Sequence, residues 1–134
     1  MREVLFRAKS VVTSNWVYGD LYTRGCVSIY ANGEKLSVDE KTVGQYTGIL
    51  DKNGARVFEG DIVECVSWNE YFSDPTTGKV MEPFRRKMEV VFMAGGFKLV
   101  EHLPQPCKDN IWDMIVEGDL IIIGNIHDNH ELLT

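Results

Sequence analysis

Basic residues, cysteines and long apolar runs are all scarce in this sequence, and each shortage argues against a class of protein. Lysine and arginine total 14, against 20 aspartates and glutamates, so the formal net charge is -6 at pH 7. A protein that binds nucleic acid through many phosphates needs clustered positive charge, because counterion release supplies most of its non-specific affinity. The acidic balance therefore disfavours a general DNA- or RNA-binding protein.

The cysteines argue against a fold stabilised by disulfides. Cys26, Cys65 and Cys107 are odd in number and widely spaced, which is typical of reduced thiols in a cytosolic protein. The aliphatic run at residues 120–123 is far too short to cross a bilayer, and the charged N-terminal segment lacks the apolar stretch of a signal peptide. The sequence thus predicts a soluble cytoplasmic protein without a membrane partner.

What the sequence does contain is the composition of an ordinary folded domain. Hydrophobic residues make up 44% and charged residues 25% of its 134 positions, whereas disordered chains combine low hydrophobicity with high net charge. A chain of this length buries about two-thirds of the surface that its unfolded state exposes. It can therefore build a core without crosslinks, and we expect one domain spanning residues 1–134.

Short β-patterns separated by turn signals run along most of the chain. Residues 26–31 lead into Asn32-Gly33, a dipeptide typical of a type I′ hairpin turn because both positions accept positive φ. Within residues 45–63 (QYTGILDKNGARVFEGDIV), Asp51 can hydrogen-bond its own turn and Gly54 can adopt the left-handed conformation. We assign structural turn roles, rather than ligand-binding roles, to Asn32, Gly33, Gly48, Asp51, Asn53, Gly54, Gly60, Asp61 and Gly124.

These patterns predict a mainly β fold, namely a strongly curved antiparallel sheet or small barrel with one or two short helices near the C-terminus. Asp109 or Asn110 can cap a helix over residues 111–117, and Asp128 or Asn129 can cap a last turn at residues 130–134. The core should consist of the apolar members of the alternating runs. Those residues are Phe6, Ile29, Tyr46, Ile49, Val57, Ile62, Val90, Phe92, Leu99, Leu120, Ile122 and Ile126.

The glycines and acids of the central block do not match a nucleotide or calcium site. Residues 44–48 lack the lysine and the spacing of a phosphate-binding loop. A calcium loop that began at Asp51 would place Ala55 at its fifth position and Ile62 at its twelfth, where oxygen ligands are required. We therefore expect no bound cofactor.

Two histidines near the C-terminus are the best metal candidates, and they are weak ones. His127 and His130 are three residues apart and could share a metal on a helix. His102, Cys107 and Asp128 are the only further ligands that we consider, and none has a diagnostic spacing. We favour a polar C-terminal cap over a metal site.

Nucleophilic or acid–base catalysis finds little support. Cys26 and Cys65 fall in apolar strands and are expected to be small core residues, because a reactive thiol needs a nearby base and an electropositive setting. In principle the carboxylate pairs Glu59/Asp61 and Glu117/Asp119 could act as general acid and base. They are better explained as part of a solvated acidic surface. No catalytic residue is predicted.

Aromatic and basic residues cluster around the polar segment 69–83, which prolines interrupt. Such a cluster can bind single-stranded nucleic acid by stacking and charge, but positive charge that protects the edge of a sheet gives the same pattern and is favoured. We expect the segment to be mobile or interactive and to pack across a subunit interface in a homo-oligomer. The candidate interaction residues are Tyr71, Phe72, Phe84, Arg85, Arg86 and Lys87.

Residues 38–63 (VDEKTVGQYTGILDKNGARVFEGDIV) resemble the central block of the YopX-like family, a group of small proteins of bacteriophages and prophages. Two further segments are similar to this family, Phe6-Arg7-Ala8 and residues 123–133 (IGNIHDNHELL). One departure is His130, where the resemblance leads us to expect proline at the first helical position. The resemblance implies a compact, mostly β domain encoded in phage or prophage DNA, and it supplies no catalytic residues to transfer.

The favoured function is that of a non-enzymatic phage accessory protein that binds another protein, of the phage or of the host. One alternative is a small metal- or nucleotide-dependent hydrolase that uses the acids near Glu59 and Asp61 or the C-terminal histidines. The other is a nucleic-acid-binding module that uses residues 69–87.

Overall fold

The computed structural model describes residues 4–67, 84–103, 106–113 and 120–133, and within these ranges the chain forms two antiparallel sheets and two short 3-10 helices. The mainly β prediction is confirmed. Tyr71, Phe72 and the rest of segment 69–83 lie outside the described residues.

The N-terminal half of the chain forms the first sheet. Its strands are β1 (Phe6–Lys9), β2 (Trp16–Tyr22), β3 (Ser28–Ala31), β4 (Glu34–Ser37), β5 (Gly44–Leu50) and β6 (Arg56–Phe58). They lie in the order β4-β3-β2-β1-β5-β6. A 3-10 helix, Glu40–Thr42, connects β4 to β5. Asp39 caps its N-terminus, because the Asp39 side chain accepts a hydrogen bond from the Lys41 amide. The hairpins connect neighbours in sequence, and β1 is inserted between β2 and β5.

The C-terminal half forms the second sheet. Its strands are β7 (Asp61–Ser67), β8 (Phe84–Met93), β9 (Gly96–Glu101), β10 (Asn110–Asp113) and β11 (Leu120–Asn125). They lie in the order β10-β9-β8-β7-β11. A second 3-10 helix, His130–Leu133, follows, where the sequence predicts a last turn. The described strands form no closed barrel, because no ladder among them joins the two outer strands of either sheet.

Turn chemistry sets the shape of the hairpins. Ala31 pairs with Glu34 across a two-residue loop, in which Asn32 and Gly33 have φ values of 52° and 79°, the geometry of a type I′ turn. Gly54, in the loop between β5 and β6, has a φ of 82°. These positive values are the reason that glycine and asparagine stand at these positions.

The core has two parts, a smaller one within the first sheet and a larger one that includes residues of both sheets. In the first sheet Ala8, Ile29 and Val38 are buried together. A larger cluster joins Val57 of β6 to the inner face of the second sheet, so the end of the first sheet packs against the second. Its buried members are Val57, Val63, Met88, Val90, Leu99 and Leu120.

Most of the predicted core is correct, with one clear error. The buried members are Ile29, Tyr46, Val57, Ile62, Val90, Leu99 and Leu120, and Phe6, Ile49, Ile122 and Ile126 are partly buried. Phe92, however, is 51% exposed. It shares a face with Met88 and Val90 but lies beside the hairpin turn at the end of β8, its ring against Phe97. Alternation predicts the face of a strand, but it does not predict whether another element covers that face.

The prediction of a helix over residues 111–117 is wrong for residues 111–113, the part that the structure describes. Residues 110–113 form β10, and Ile111 pairs with Val100 while Trp112 pairs with Leu99. The spacing that suggested a helix covers few residues, and short apolar stretches do not discriminate helix from strand. The ladder to β9 decides the outcome, and residues 114–117 lie outside the described ranges.

Candidate functional site

A buried ion pair connects the two sheets. The Nη2 atom of Arg7 on β1 donates to Oδ1 of Asp61 on β7 over 2.7 Å, and the side chains are 8% and 2% exposed. The second oxygen of Asp61 accepts a hydrogen bond from the Phe58 amide over 2.7 Å. Burial raises the pKa of the Asp61 carboxyl, while the Arg7 guanidinium and the Phe58 amide oppose that rise. Asp61 therefore holds the β6–β7 corner to β1.

The Arg7 guanidinium lies between two aromatic rings. Its Cζ atom is 4.6 Å from the centre of the Trp16 ring and 4.9 Å from that of Phe58, distances typical of cation–π contacts. Its Nε atom is buried and has no hydrogen-bond acceptor among the described residues. Sequence analysis missed Arg7, because its partner is 54 positions away and a lone arginine in a strand pattern is usually solvated.

Asp51 organises the turn between β5 and β6 and anchors it to the second sheet. Its Oδ1 atom accepts hydrogen bonds from the amides of Asn53 and Ala55, over 2.9 and 2.8 Å. Its Oδ2 atom accepts one from the Ile122 amide of β11 over 3.2 Å, and the Lys52 amide donates to the Leu120 carbonyl over 2.7 Å. The local turn role was predictable from sequence, whereas the link to β11 depends on the fold.

The histidines and acids near the C-terminus have structural partners. Asp128 accepts hydrogen bonds from Lys9 Nζ, from Trp16 Nε1 over 2.9 Å and from Asn125 Nδ2 over 3.1 Å, and these bonds hold the pKa of its carboxyl well below the ordinary value. The His127 ring lies 5.8 Å from that of Trp16. Burial lowers the pKa of His127, as do the charges of Arg7 and Lys9. This cluster attaches the C-terminal segment to β1 and β2.

The suggested metal ligands are not brought together. His102 contacts Glu89 over 2.9 Å and Asp109 over 3.1 Å on the second sheet, and His130 lies in the last 3-10 helix. Within the described ranges no group of three or more His, Cys, Asp or Glu side chains could hold a metal ion.

The cysteines and paired acids occupy different surroundings. Cys65 is half-buried and packs against the larger core cluster, as expected. Cys26 is exposed, so its prediction as a core residue is wrong: it lies before β3 rather than within it. Burial raises the pKa of Glu59. Asp61 is held by Arg7 and the Phe58 amide, so Glu59 and Asp61 have separate local roles.

The basic run after segment 69–83 lies at the start of β8. This part of β8 pairs with β7, whereas the ladder with β9 covers Glu89–Met93. Among the described ladders the run therefore pairs on one side, and its interpretation as a strand edge protected by charge stays a prediction. Arg86 and Lys87 point to opposite faces, since successive strand residues alternate. Arg86 lies 3.9 Å from Glu101 and 5.1 Å above the Trp112 ring. The backbones of Phe84 and Arg85 pair with Ser67 and Val66.

The edge of the second sheet at β10 carries exposed apolar side chains. Ile111 is 53% and Trp112 is 36% exposed, on opposite faces of the strand. Trp112 shares its face with Phe92, and Arg86 covers part of its ring. We name the set Arg86, Phe92, Ile111 and Trp112 the β10 surface.

An open cleft of about 890 Å³ lies at the junction of the two sheets. Its lining combines aromatic, aliphatic and charged side chains from both sheets. The residues are Leu5, Arg7, Tyr18, Tyr46, Leu50, Gly54, Ala55, Arg56, Phe58, Asp61 and Ile122. The ion pair between Arg7 and Asp61 thus forms part of the wall of this cleft.

Gly54 and Gly60 should resist substitution for conformational reasons. Their φ values are 82° and 91°, a region in which a side chain with a Cβ costs about 1–2 kcal/mol. Gly54→Val should lower the free energy of unfolding by roughly that amount and no more, because the added Cβ would have no atom within 4 Å and so would cause no clash. Gly60→Val should lose more, because its Cβ would lie 3.6 Å from His127 Nε2 and the two methyls of valine would need further space.

Chemical denaturation of both variants measures these losses. Gly96→Val is the matched control, since Gly96 lies in β9 without a positive φ, and the nearest atom to its Cβ is the end of a flexible lysine 4.0 Å away. Wild-type stability in both test variants would contradict the assignment of these glycines to turns.

Comparisons with known proteins agree with this description. A model of the YopX protein family matches residues 5–134. Among solved structures, the crystal structure of protein EF1440 from Enterococcus faecalis is similar over 100% of both chains, with a TM-score of 0.56 and 20% sequence identity. That likeness shows a shared fold. No curated protein matches the sequence, and no helix of the described residues is long and apolar enough to cross a membrane.

Proposed function

The chain belongs to the YopX protein family, and from this membership and the β10 surface we propose that it is a phage- or prophage-encoded accessory protein of the bacterial cytoplasm that binds another protein. The proposal rests on one observation: the outer strand of the second sheet carries large apolar side chains on both faces. Exposed strand edges are templates for pairing with a further strand.

The chemistry of the β10 surface favours an extended segment of a partner protein. β10 pairs with β9, and within the described ranges no strand pairs along its other side. Tryptophan and arginine are enriched among the residues that dominate binding energy, and Trp112 and Arg86 are in contact here. A partner strand added to β10 would cover Ile111 on one face and Trp112 on the other.

Capture from a lysogenic or infected host tests this function. The immobilised protein should retain a specific partner, and Ile111→Lys should abolish retention by placing a charge against the added strand. Val12→Lys is the control, because Val12 is 85% exposed in a turn of the first sheet. Light scattering of the isolated protein shows beforehand whether a second copy occupies the same edge.

Two results would count against the proposal. One is equal retention of the partner by wild type and Ile111→Lys, which would place binding elsewhere. The other is the absence of any partner that wild type and Val12→Lys retain in common.

A further inference from the structure

We propose that His102 is a pH switch at the outer edge of the second sheet: its protonated ring connects β10 to β8 and β9, and loss of the proton loosens β10. The ring lies between two carboxylates. Its Nε2 atom is 2.9 Å from Oε1 of Glu89 on β8, and its Nδ1 atom is 3.1 Å from Oδ2 of Asp109, the residue before β10. One side chain at the end of β9 thus contacts the elements on both sides of that strand.

Only the protonated ring donates to both carboxylates. Neutral imidazole has one N–H and one nitrogen that accepts, so in the neutral form one of the two contacts places a nitrogen lone pair against a carboxylate oxygen. The protonated ring has an N–H on each nitrogen and forms an ion pair in both contacts. Since histidine ordinarily changes charge between pH 5 and 8, the number of hydrogen bonds in this bridge changes over the same range.

Asp109 transmits the contact to β10. Its Oδ1 atom accepts a hydrogen bond from the Leu103 amide over 3.0 Å, so its carboxylate holds the end of β9 and the start of β10 together. β10 has four residues, and within the described ranges it has a ladder on one side only. The position of such a short outer strand depends on anchors at its ends, and the bond to His102 is one of them.

The other charged side chains around the bridge are of both signs. They are Lys87 of β8, Lys98 and Glu101 of β9, Lys108 before β10, and Glu59 before β7. Lys87 and Lys108 are exposed, so solvent screens their repulsion of a protonated ring, whereas both carboxylates touch the ring directly. Glu101 lies 3.9 Å from Arg86. The direct contacts therefore favour the protonated ring when the bridge is closed.

Glu59 is the other group here that could change charge at mildly acidic pH. Burial raises the pKa of its carboxyl, and so does the negative charge of Glu89. An effect of Glu59 would have the same direction in an experiment that lowers the pH, because both groups gain a proton. The test must therefore separate Glu59 from His102.

The bridge adjoins the β10 surface. Glu89 pairs with Val100, which pairs with Ile111, so Glu89 and Ile111 lie on the same face of the sheet. Regulation of partner binding by this bridge rests on the proposed function. A loosened β10 must be ordered again before it can accept a further strand, which lowers the apparent affinity. Retention of the partner should therefore be stronger at pH 6 than at pH 8.

Hydrogen exchange at pH 6 and pH 8 tests the switch without any partner. The β10 amides that pair with β9 are followed as protection factors, which correct for the intrinsic effect of pH. Protection in the wild type should fall about threefold to fivefold from pH 6 to pH 8, the scale of one partly exposed charged contact. His102→Gln should have low protection at both pH values, and His102→Arg, which stays charged, should have high protection at both.

Glu59→Gln and His130→Gln are the matched controls. His130 lies in the last 3-10 helix, and both variants should keep the pH dependence of the wild type. Thermal unfolding at pH 6 verifies that all four variants are folded. Equal protection at the two pH values in the wild type, wild-type pH dependence in His102→Gln, or its loss in either control would overturn the proposal.

Partner capture by the same samples separates failure of the switch from failure of the proposed function. If protection of β10 changes with pH but no partner is retained at pH 6, the proposed function fails and the switch stands. If protection changes with pH and the wild type retains its partner equally at pH 6 and pH 8, the regulation of binding is overturned.

Discussion

Arg7→Met is expected to lower the free energy of unfolding by about 3–5 kcal/mol, the usual result of breaking a buried ion pair by removing one partner. The substitution leaves the Asp61 carboxylate buried, with the Phe58 amide as its remaining donor among the described residues. Methionine preserves much of the apolar volume between Trp16 and Phe58, so the loss reports mainly on charge. Since domains of this size are stable by about 5–15 kcal/mol, the variant should be close to unfolding.

The pH dependence of this loss follows from the pKa of Asp61. Burial already raises that pKa above 3.8 in the folded protein, and Arg7 opposes the rise, so removing Arg7 raises the folded pKa further. A carboxyl whose folded pKa exceeds its unfolded value favours the folded state below the unfolded pKa, and this contribution is lost as pH rises through the folded pKa. The destabilisation by Arg7→Met should therefore be smaller near pH 4 than at pH 7.

Urea unfolding at the two pH values measures the effect. Arg24→Met, a change at an exposed arginine, is the control and should lose less than about 0.5 kcal/mol. The double variant Arg7→Met/Asp61→Leu should regain part of the loss, because it leaves no unpaired buried charge. A loss below about 1 kcal/mol, or the same loss at both pH values, would contradict the role given to this ion pair.

Asp51→Ala is expected to lower the free energy of unfolding by about 3 kcal/mol. The Asp51 carboxylate is only 6% exposed and accepts hydrogen bonds from three backbone amides. A hydrogen bond to a charged group contributes about 1.5–3 kcal/mol, and relaxation of the turn recovers part of the sum. Two of these bonds close the β5–β6 turn, and the third connects it to β11 through Ile122. The substitution should therefore loosen both the turn and its contact with the second sheet.

Asp51→Asn separates the two parts of this effect. Asparagine keeps an oxygen for the turn amides, but its NH₂ group cannot accept from Ile122, so its stability should lie between those of wild type and Asp51→Ala. Hydrogen exchange should show faster exchange of the Ile122 amide in both variants. Asp20→Ala, at an exposed aspartate of β2, is the control. Wild-type exchange at Ile122 in Asp51→Ala would contradict the link between the sheets.

Several local features of the fold could be predicted because they depend on neighbours in sequence. Asn32-Gly33 and the loop at Gly54 have the positive φ values that their residue types allow, and residues 62–68 show the alternation of a half-buried strand, which the structure describes as Asp61–Ser67. Steric preference and side-chain alternation act within a few residues. The buried positions Ile29, Val57, Ile62 and Val90 followed from the same alternation.

Other features depend on partners that are distant in sequence, and only the tertiary structure decided them. The sequence predicts Asp61 as a turn residue, yet its carboxylate forms an ion pair with Arg7 of the other sheet. The short segment 110–113 forms a strand because it pairs with β9. Phe92 is exposed although it shares a face of its strand with core residues. The cleft likewise exists only where β1, β2, β5, β6, β7 and β11 meet. Residue type and alternation determine conformation and face, whereas burial and ion pairing depend on which elements pack together.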